Sequence, residues 1–180
     1  MKYLIASDIH GSFYYCEQLV RDFVQEDADR LILLGDILYH GPRNDLPYGY
    51  APKKVISLLN PLKDKIIAVR GNCDAEVDQM VLDFEIMADY KLLAEDGLSI
   101  FLTHGHVYNN DHLPAERFDI LLHGHTHIPV CEDKGNYFYM NPGSVSIPKN
   151  GSAHSYILME DRNFLWKDLG DGTVLMEKKL

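Results

Sequence analysis

The chain has 180 residues, 46% of them hydrophobic, and its 17 Lys+Arg against 27 Asp+Glu leave a formal net charge of −10. That length and apolar content suit a single domain over residues 1–180 with its own core, and exclude a disordered chain. An acidic balance uninterrupted by any basic run argues against general binding to nucleic acid or to an anionic membrane.

Only a short apolar stretch separates Lys2 from Ser7-Asp8, far less than the roughly 7 to 15 residues of a signal peptide's apolar region. No run approaches the ~20 apolar residues of a membrane span. Cys16, Cys73 and Cys131 are scattered and show no C-x-x-C pairing. Reduced thiols and a cytoplasmic location are therefore expected, with Cys16 and Cys131 as small buried hydrophobes.

In chain order, Tyr3-Leu-Ile-Ala reads as a strand ending in Asp8-Ile-His10-Gly11. Cys16, Leu19, Val20, Phe23 and Val24 then fall at helical spacing behind Ser12, a plausible N-cap. Arg30 to Gly35 reads as a second strand closed by Asp36, followed by a long Gly/Pro/Tyr/Asn loop to Tyr50. Pro52 suits a first helical turn, with Val55, Leu58, Leu59 and Leu62 as one apolar stripe. Lys65 to Val69 predicts a third strand, and Ala75 to Phe84 a helix carrying Val77, Met80, Val81 and Phe84 inward. Alternating strands and helices imply right-handed crossovers and a parallel sheet.

From Met87 onward Glu95-Asp96-Gly97, Asp133-Lys134-Gly135-Asn136, Asp161-Arg162-Asn163 and Gly170-Asp171-Gly172 punctuate short β-type runs. These predict hairpins and a second sheet within the same domain.

Several apolar runs stop at groups that bind metals. Asp119-Ile-Leu-Leu-His-Gly-His-Thr-His127 delivers His125 and His127 two residues apart, so in extended backbone both rings would face one way. Asp8 and His10, then Asp36, then Asn72, and finally His104 end other runs. Ligand sites of open parallel sheets lie beyond the carboxyl ends of the strands, so these residues can meet on one rim. Seven oxygen and imidazole donors without a thiolate are too many for one ion, and suit manganese, iron, zinc or nickel at catalytic sites.

Asp8-Ile-His10, Gly35-Asp36, Gly71-Asn72-Cys73-Asp74, His104 and Gly124-His125-Thr-His127 together resemble the calcineurin-like metallophosphoesterases, and within them the small bacterial YfcE-type phosphodiesterases. The resemblance covers most of the chain. It implies an α/β fold, a four-layer α/β/β/α sandwich of two mixed sheets, with two divalent ions per chain, manganese first and Zn, Fe or Ni as alternatives. It further implies that Asp8, His10, Asp36 and His127 hold one ion and Asp36, Asn72, His104 and His125 the other, Asp36 bridging. A water or hydroxide between the ions would be the nucleophile, the substrate a small phosphodiester, and the enzyme a homo-oligomer. A phosphomonoesterase on a small metabolite and a non-catalytic metal-bound scaffold are the alternatives.

Asp36, Asn72, His104 and Cys73 are thus the expected catalytic residues. Many relatives place His where this chain has Cys73. A thiol protonates a leaving group poorly near neutrality, which favours esters of acidic alcohols. Arg43, in the loop after Asp36, and His106, after His104, are candidate substrate contacts. Asp74 reads as a support for an imidazole ligand or as a helix N-terminal acid. His40, His112 and His154 read as solvated surface residues, His123 as buried and structural, Asn141-Pro-Gly-Ser144 as a brace for the His125–His127 loop, and Tyr137-Phe-Tyr139 as sheet packing.

Overall fold

The computed structural model describes all 180 residues. Its first half alternates β1 (Tyr3–Ala6), α1 (Phe13–Gln25), β2 (Arg30–Leu33), α2 (Pro52–Leu59), β3 (Ile66–Ala68) and the short α3 (Glu76–Gln79). The second half is all strand: β4 (Tyr90–Glu95), β5 (Leu98–Thr103), β6 (Ile120–His123), β7 (Pro129–Asp133), β8 (Phe138–Pro142), β9 (Ser155–Glu160), β10 (Asn163–Asp168) and β11 (Val174–Lys179). No helix is long and apolar enough to cross a membrane.

Two mixed sheets result. One has the order β11-β10-β9-β1-β2-β3 and the other β4-β5-β6-β8-β7. The three βαβ strands β1, β2 and β3 pair in parallel, as do β5, β6 and β8. The four predicted hairpin turns all join neighbouring antiparallel strands.

Strand alternation explains how the first sheet serves two cores. Leu4, Ala6, Leu31 and Leu33 face the helices, packed against Cys16, Leu19, Phe23, Val55 and Leu59. Tyr3, Ile5, Ile32 and Leu34 point the other way, onto Ile100, Leu102, Ile120, Leu122 and Met140 of the second sheet. Trp166 is fully buried in that inter-sheet core and donates its Nε1–H to the Asn141 carbonyl at 2.7 Å. Over the second sheet's outer face the covering layer is irregular: Phe101 is buried under Tyr90, Tyr108 and Phe118 at ring separations of 4.7, 5.5 and 5.8 Å. Aromatic packing by Tyr90 of β4 and by Tyr108 and Phe118 of the segment after β5 supplies the apolar cover of that face.

Local expectations hold where capping decides them and fail where side chains compete with the backbone. Ser12 caps α1 by accepting from the Tyr15 amide, but Val24 points out, 67% exposed. α2 stops at Leu59, and the chain goes on as a 3-10 turn over Asn60–Lys65, because Pro61 has no N–H with which to continue the α-helical ladder. The helix expected over Ala75 to Phe84 shrinks to Glu76–Gln79, with Met80 84% and Val77 64% exposed while Phe84 is buried. Gln79 causes this: its Nε2 donates to the Leu82 and Phe84 carbonyls and its Oε1 accepts from Ile86 N, so the side chain replaces the helical ladder.

Phe84→Ala should therefore cost about 3 to 5 kcal/mol of stability, and Met80→Ser less than about 0.5 kcal/mol. Urea unfolding of both variants checks this, and a large loss in Met80→Ser would restore the longer helix.

Candidate metal centre

Every expected ligand follows a strand at its carboxyl end: Asp8 and His10 after β1, Asp36 after β2, Asn72 after β3, His104 after β5, and His125 and His127 after β6. The structure brings all seven together across the rims of the two sheets. The extended backbone expected at His125 and His127 is not found. Both are left-handed, at φ 66° and 62°, as are Asp8, His10 and Asp36 at 59°, 49° and 55°. Such a conformation costs on the order of 1 to 3 kcal/mol per non-glycine residue and persists only where surrounding structure enforces it. The chain curls at each strand end rather than running on.

The enforcing contacts are visible. The β1 and β2 loops are laced by Asp8 N to Gly35 O, His10 N to Asp36 O and Gly11 N to Ile37 O. Asp74 takes neither expected role. Its carboxylate accepts from the amides of Asp36 and Gly71, each at 2.8 Å, and of Ile37 at 2.9 Å, so it sets the backbone of the Asp36 loop. Asn141 Nδ2 donates to the Gly124 carbonyl and Thr126 Oγ1, and the Ser144 and Ser146 hydroxyls donate to the Asp8 carbonyl. Two glycines permit the close approach: a Cβ at Gly71 would lie 2.1 Å from Asp36 Oδ1, and one at Gly124 1.9 Å from Ser7 Oγ.

Within the cluster, His127 Nε2 and His10 Nε2 lie 3.2 and 3.5 Å from Asp8 Oδ1. Asp36 Oδ2 is 3.7 Å from His10 Nε2 and 3.4 Å from His104 Nε2, between two groups of donors. On its far side His104 Nε2 is 3.1 Å from Asn72 Oδ1 and 3.2 Å from His125 Nδ1. His10, His104 and His127 donate Nδ1–H to the carbonyls of Tyr39, Leu34 and Ile147 at 2.8, 2.6 and 2.6 Å. A carbonyl only accepts, so each Nδ1 carries a proton, and Nε2 is the atom left to coordinate inward once any second proton has gone.

This donor set fits divalent cations. His10 Nε2 and His127 Nε2 face one another at 3.3 Å, and Asp8 Oδ1 is buried with no hydrogen-bond donor at all. A buried carboxylate oxygen without a donor is costly unless a cation compensates it. Burial alone would raise the Asp8 carboxyl, but the imidazoles of His10, His127 and His104 around it hold it well below the usual range. Burial pulls His104 down, but Asp36 and Asp8 overcome it and raise the imidazole to about 9. Burial and the nearby His104 charge lower His125 to about 4, leaving it neutral and ready to coordinate.

Above the cluster opens a polar cavity of about 430 Å³ lined by Asp36, Asn72, His125 and His127, with Arg43 and Lys149 also on its wall. Arg43, a candidate substrate contact from the sequence, lies on this cavity's wall. Lys149 carries no local signal in the sequence; it lies outside the motifs, before an ordinary Asn150-Gly151 turn, and is held there by its amide donating to the His127 carbonyl. His106 sits beside the cluster, 5.4 Å from His104 and 6.4 Å from His125 between ring centroids, without lining that cavity. Cys73 donates its amide to Asp36 Oδ1, and burial with Asp36 nearby pushes its thiol up to about 12. His123 is buried and stacked on Tyr139, as expected. His154, stacked on Tyr15 at 4.0 Å, and His40, with a buried Nδ1, are packed rather than freely solvated, and only His112 is exposed.

A metal ion must displace the proton that His104 retains below its pKa of about 9. Apparent manganese affinity should thus rise with pH from 7 to about 9 and then level off, with proton release. Calorimetry in buffers of different ionisation enthalpy measures this, and a pH-independent affinity without released protons would contradict it.

Comparison with known proteins agrees with this geometry. Residues 1–163 match the model of the calcineurin-like phosphoesterase superfamily domain. The phosphodiesterase YfcE of Escherichia coli is 51% identical over 162 residues, 89% of this chain and 88% of the relative. The solved structure of that phosphoesterase superposes with a TM-score of 0.95 at 47% identity, over 99% of this chain and 98% of the other. Vacuolar protein sorting 29 from Cryptosporidium parvum, at 16% identity and a TM-score of 0.63 over 99% and 98% of the chains, shares the fold alone. By its sequence motifs, its sheet-rim cluster of carboxylates and imidazoles, and these matches, the chain belongs to the calcineurin-like phosphoesterase superfamily and is a hydrolase of phosphate esters.

Proposed function

We propose that the chain is a phosphodiesterase working with two divalent ions, manganese ahead of zinc, iron or nickel, on a small phosphodiester. The observation that carries the reading is Asp8 Oδ1, buried without a donor among imidazole nitrogens whose protons are bonded away from it. A metal-bound scaffold would compensate that oxygen equally well, and the polar cavity open above it is what favours catalysis. The preference for diesters rests on the 51% identity to a phosphodiesterase.

In this reading Asp8, His10, Asp36 and His127 hold one ion, and Asp36, Asn72, His104 and His125 the other, Asp36 spanning both. Bound there, divalent cations lower the pKa of water towards neutrality and neutralise phosphoryl oxygens. The chain supplies the rest. Carbonyls of Leu34, Tyr39 and Ile147 fix the rings, and Asp74 fixes the Asp36 loop. Arg43 and Lys149 face the incoming phosphate across the cavity, and a guanidinium can pair with two of its oxygens. His106, off that cavity's wall but beside His104, would meet only a substrate group that extends past the cluster. The Cys73 thiol, with its pKa near 12, keeps its proton and assists departure little. Esters of acidic alcohols such as phenols are consequently the better substrates. The three free thiols suit a cytoplasmic enzyme, and self-association, drawn from the family resemblance, completes the proposal.

Manganese added to chelated protein should switch on hydrolysis of an aryl phosphodiester while dialkyl diesters react poorly. Asp36→Asn should lower that rate about 100- to 1000-fold and reduce bound metal. A near-native rate with two ions retained would remove the bridging role. Arg43→Ala should lower kcat/KM roughly ten- to a hundredfold with metal content unchanged, the worth of one charge-assisted contact. Unchanged kinetics would return Arg43 to the solvated surface.

A further inference from the structure

A second cleft, of about 420 Å³, adjoins the polar cavity, and Cys73 lines both. The two differ in chemistry. Apart from Gly41, Pro42 and Cys73, the first is walled by polar and charged groups. The second is walled by Leu38, Tyr39, Tyr50, Ile56, Val77 and Val81, with Lys53 and Asp78 its charged members.

The apolar cleft is built from the same loops that carry the proposed ligands. Leu38 and Tyr39 follow Asp36 closely, and Cys73 and Ala75 follow Asn72. The Tyr39 carbonyl accepts from His10 Nδ1–H at 2.8 Å, and the Cys73 amide donates to Asp36 Oδ1 at 2.8 Å. The cleft therefore begins where the reacting centre ends. Its outer wall leaves apolar surface in water, with Tyr39 and Val81 42% and 43% exposed.

A phosphodiester is one anion carrying two organic groups. The polar cavity, with Arg43 and Lys149, suits the anion and offers little to an apolar substituent. Resting on the phosphodiesterase reading, we infer that the apolar cleft is the subsite for one organic substituent, and that the enzyme selects diesters bearing an aromatic or compact aliphatic group. Its volume lies in the range of about 300 to 1000 Å³ common to small-molecule sites. The short run from α3 to Phe84, which the sequence expected to pack inward, supplies this wall instead: Val77 and Val81 face ligand space rather than core.

Phosphonates test this without turnover, because their P–C bond resists hydrolysis. The manganese-loaded full chain is titrated calorimetrically with methylphosphonate and with naphthylmethylphosphonate. The naphthyl compound should bind at least about tenfold more tightly, the gain from burying its ring. In Val77→Gln/Val81→Gln, two exposed positions outside the core, the preference should fall below about threefold. Melting temperature and manganese content should not change. A Leu175→Gln control on β11 should keep the preference. Equal affinities in the wild type, or a preference kept in the double variant, would overturn the subsite. Absence of binding by both phosphonates would instead overturn the phosphate-site reading beneath it. If light scattering shows joined copies that the double variant separates while the preference persists, the cleft is an interface between copies and the inference fails.

Discussion

Two carboxylates and four imidazoles share a volume so small that Asp36 Oδ2 lies within 3.7 Å of two different rings, and Asp8 is fully buried with one oxygen unpartnered. Away from water such a concentration of donor atoms is costly unless cations are present. Most of the architecture around it can be understood as the means of holding that arrangement. Carbonyls of three separate segments accept from the outward imidazole N–H groups, and the Asp74 carboxylate accepts from three amides at once. Of these partners only Tyr39 also borders the apolar cleft, and each helps set the direction in which a ligand atom points.

The same demand explains the strain. Five of the seven proposed ligands occupy left-handed backbone, where asparagine or glycine would sit more comfortably. Loops at the ends of parallel strands accept that conformation because the strands beneath them are anchored in two apolar cores, one against the helices and one between the sheets. Rigid strands beneath and interlaced hydrogen bonds between the loops offset a local cost that an isolated turn would relieve by rearranging.

Electrostatics divides the surface from the site. A chain of net charge −10 repels anions at long range, but Arg43 and Lys149 place two cations on the wall of the cavity proposed to receive the anionic ester. Next to it the apolar cleft offers a surface of opposite character, joined to the first at Cys73. Substrate choice in this reading depends on the geometry of that junction and on its lack of a strong proton donor.

The primary structure by itself determined the strand–helix alternation, the hairpins of the second half, and which residues end strands with metal-binding groups, because these rest on periodicity, turn chemistry and spacing within short stretches. Ser12 as a cap and His123 as a buried structural residue were legible for the same reason. Only the tertiary structure decided what depends on partners distant in the chain. Gln79 cut the expected helix short through its own hydrogen bonds. Asp74 turned to the amides of the Asp36 loop, which no local pattern links to it. His125 and His127 became left-handed through interlocking loops, and Lys149 reached the cavity by lying beside His127 in space. Local pattern is a property of neighbouring residues, whereas the direction of a lone pair and the membership of a cavity wall are set by contacts between loops that only the folded sheets bring together.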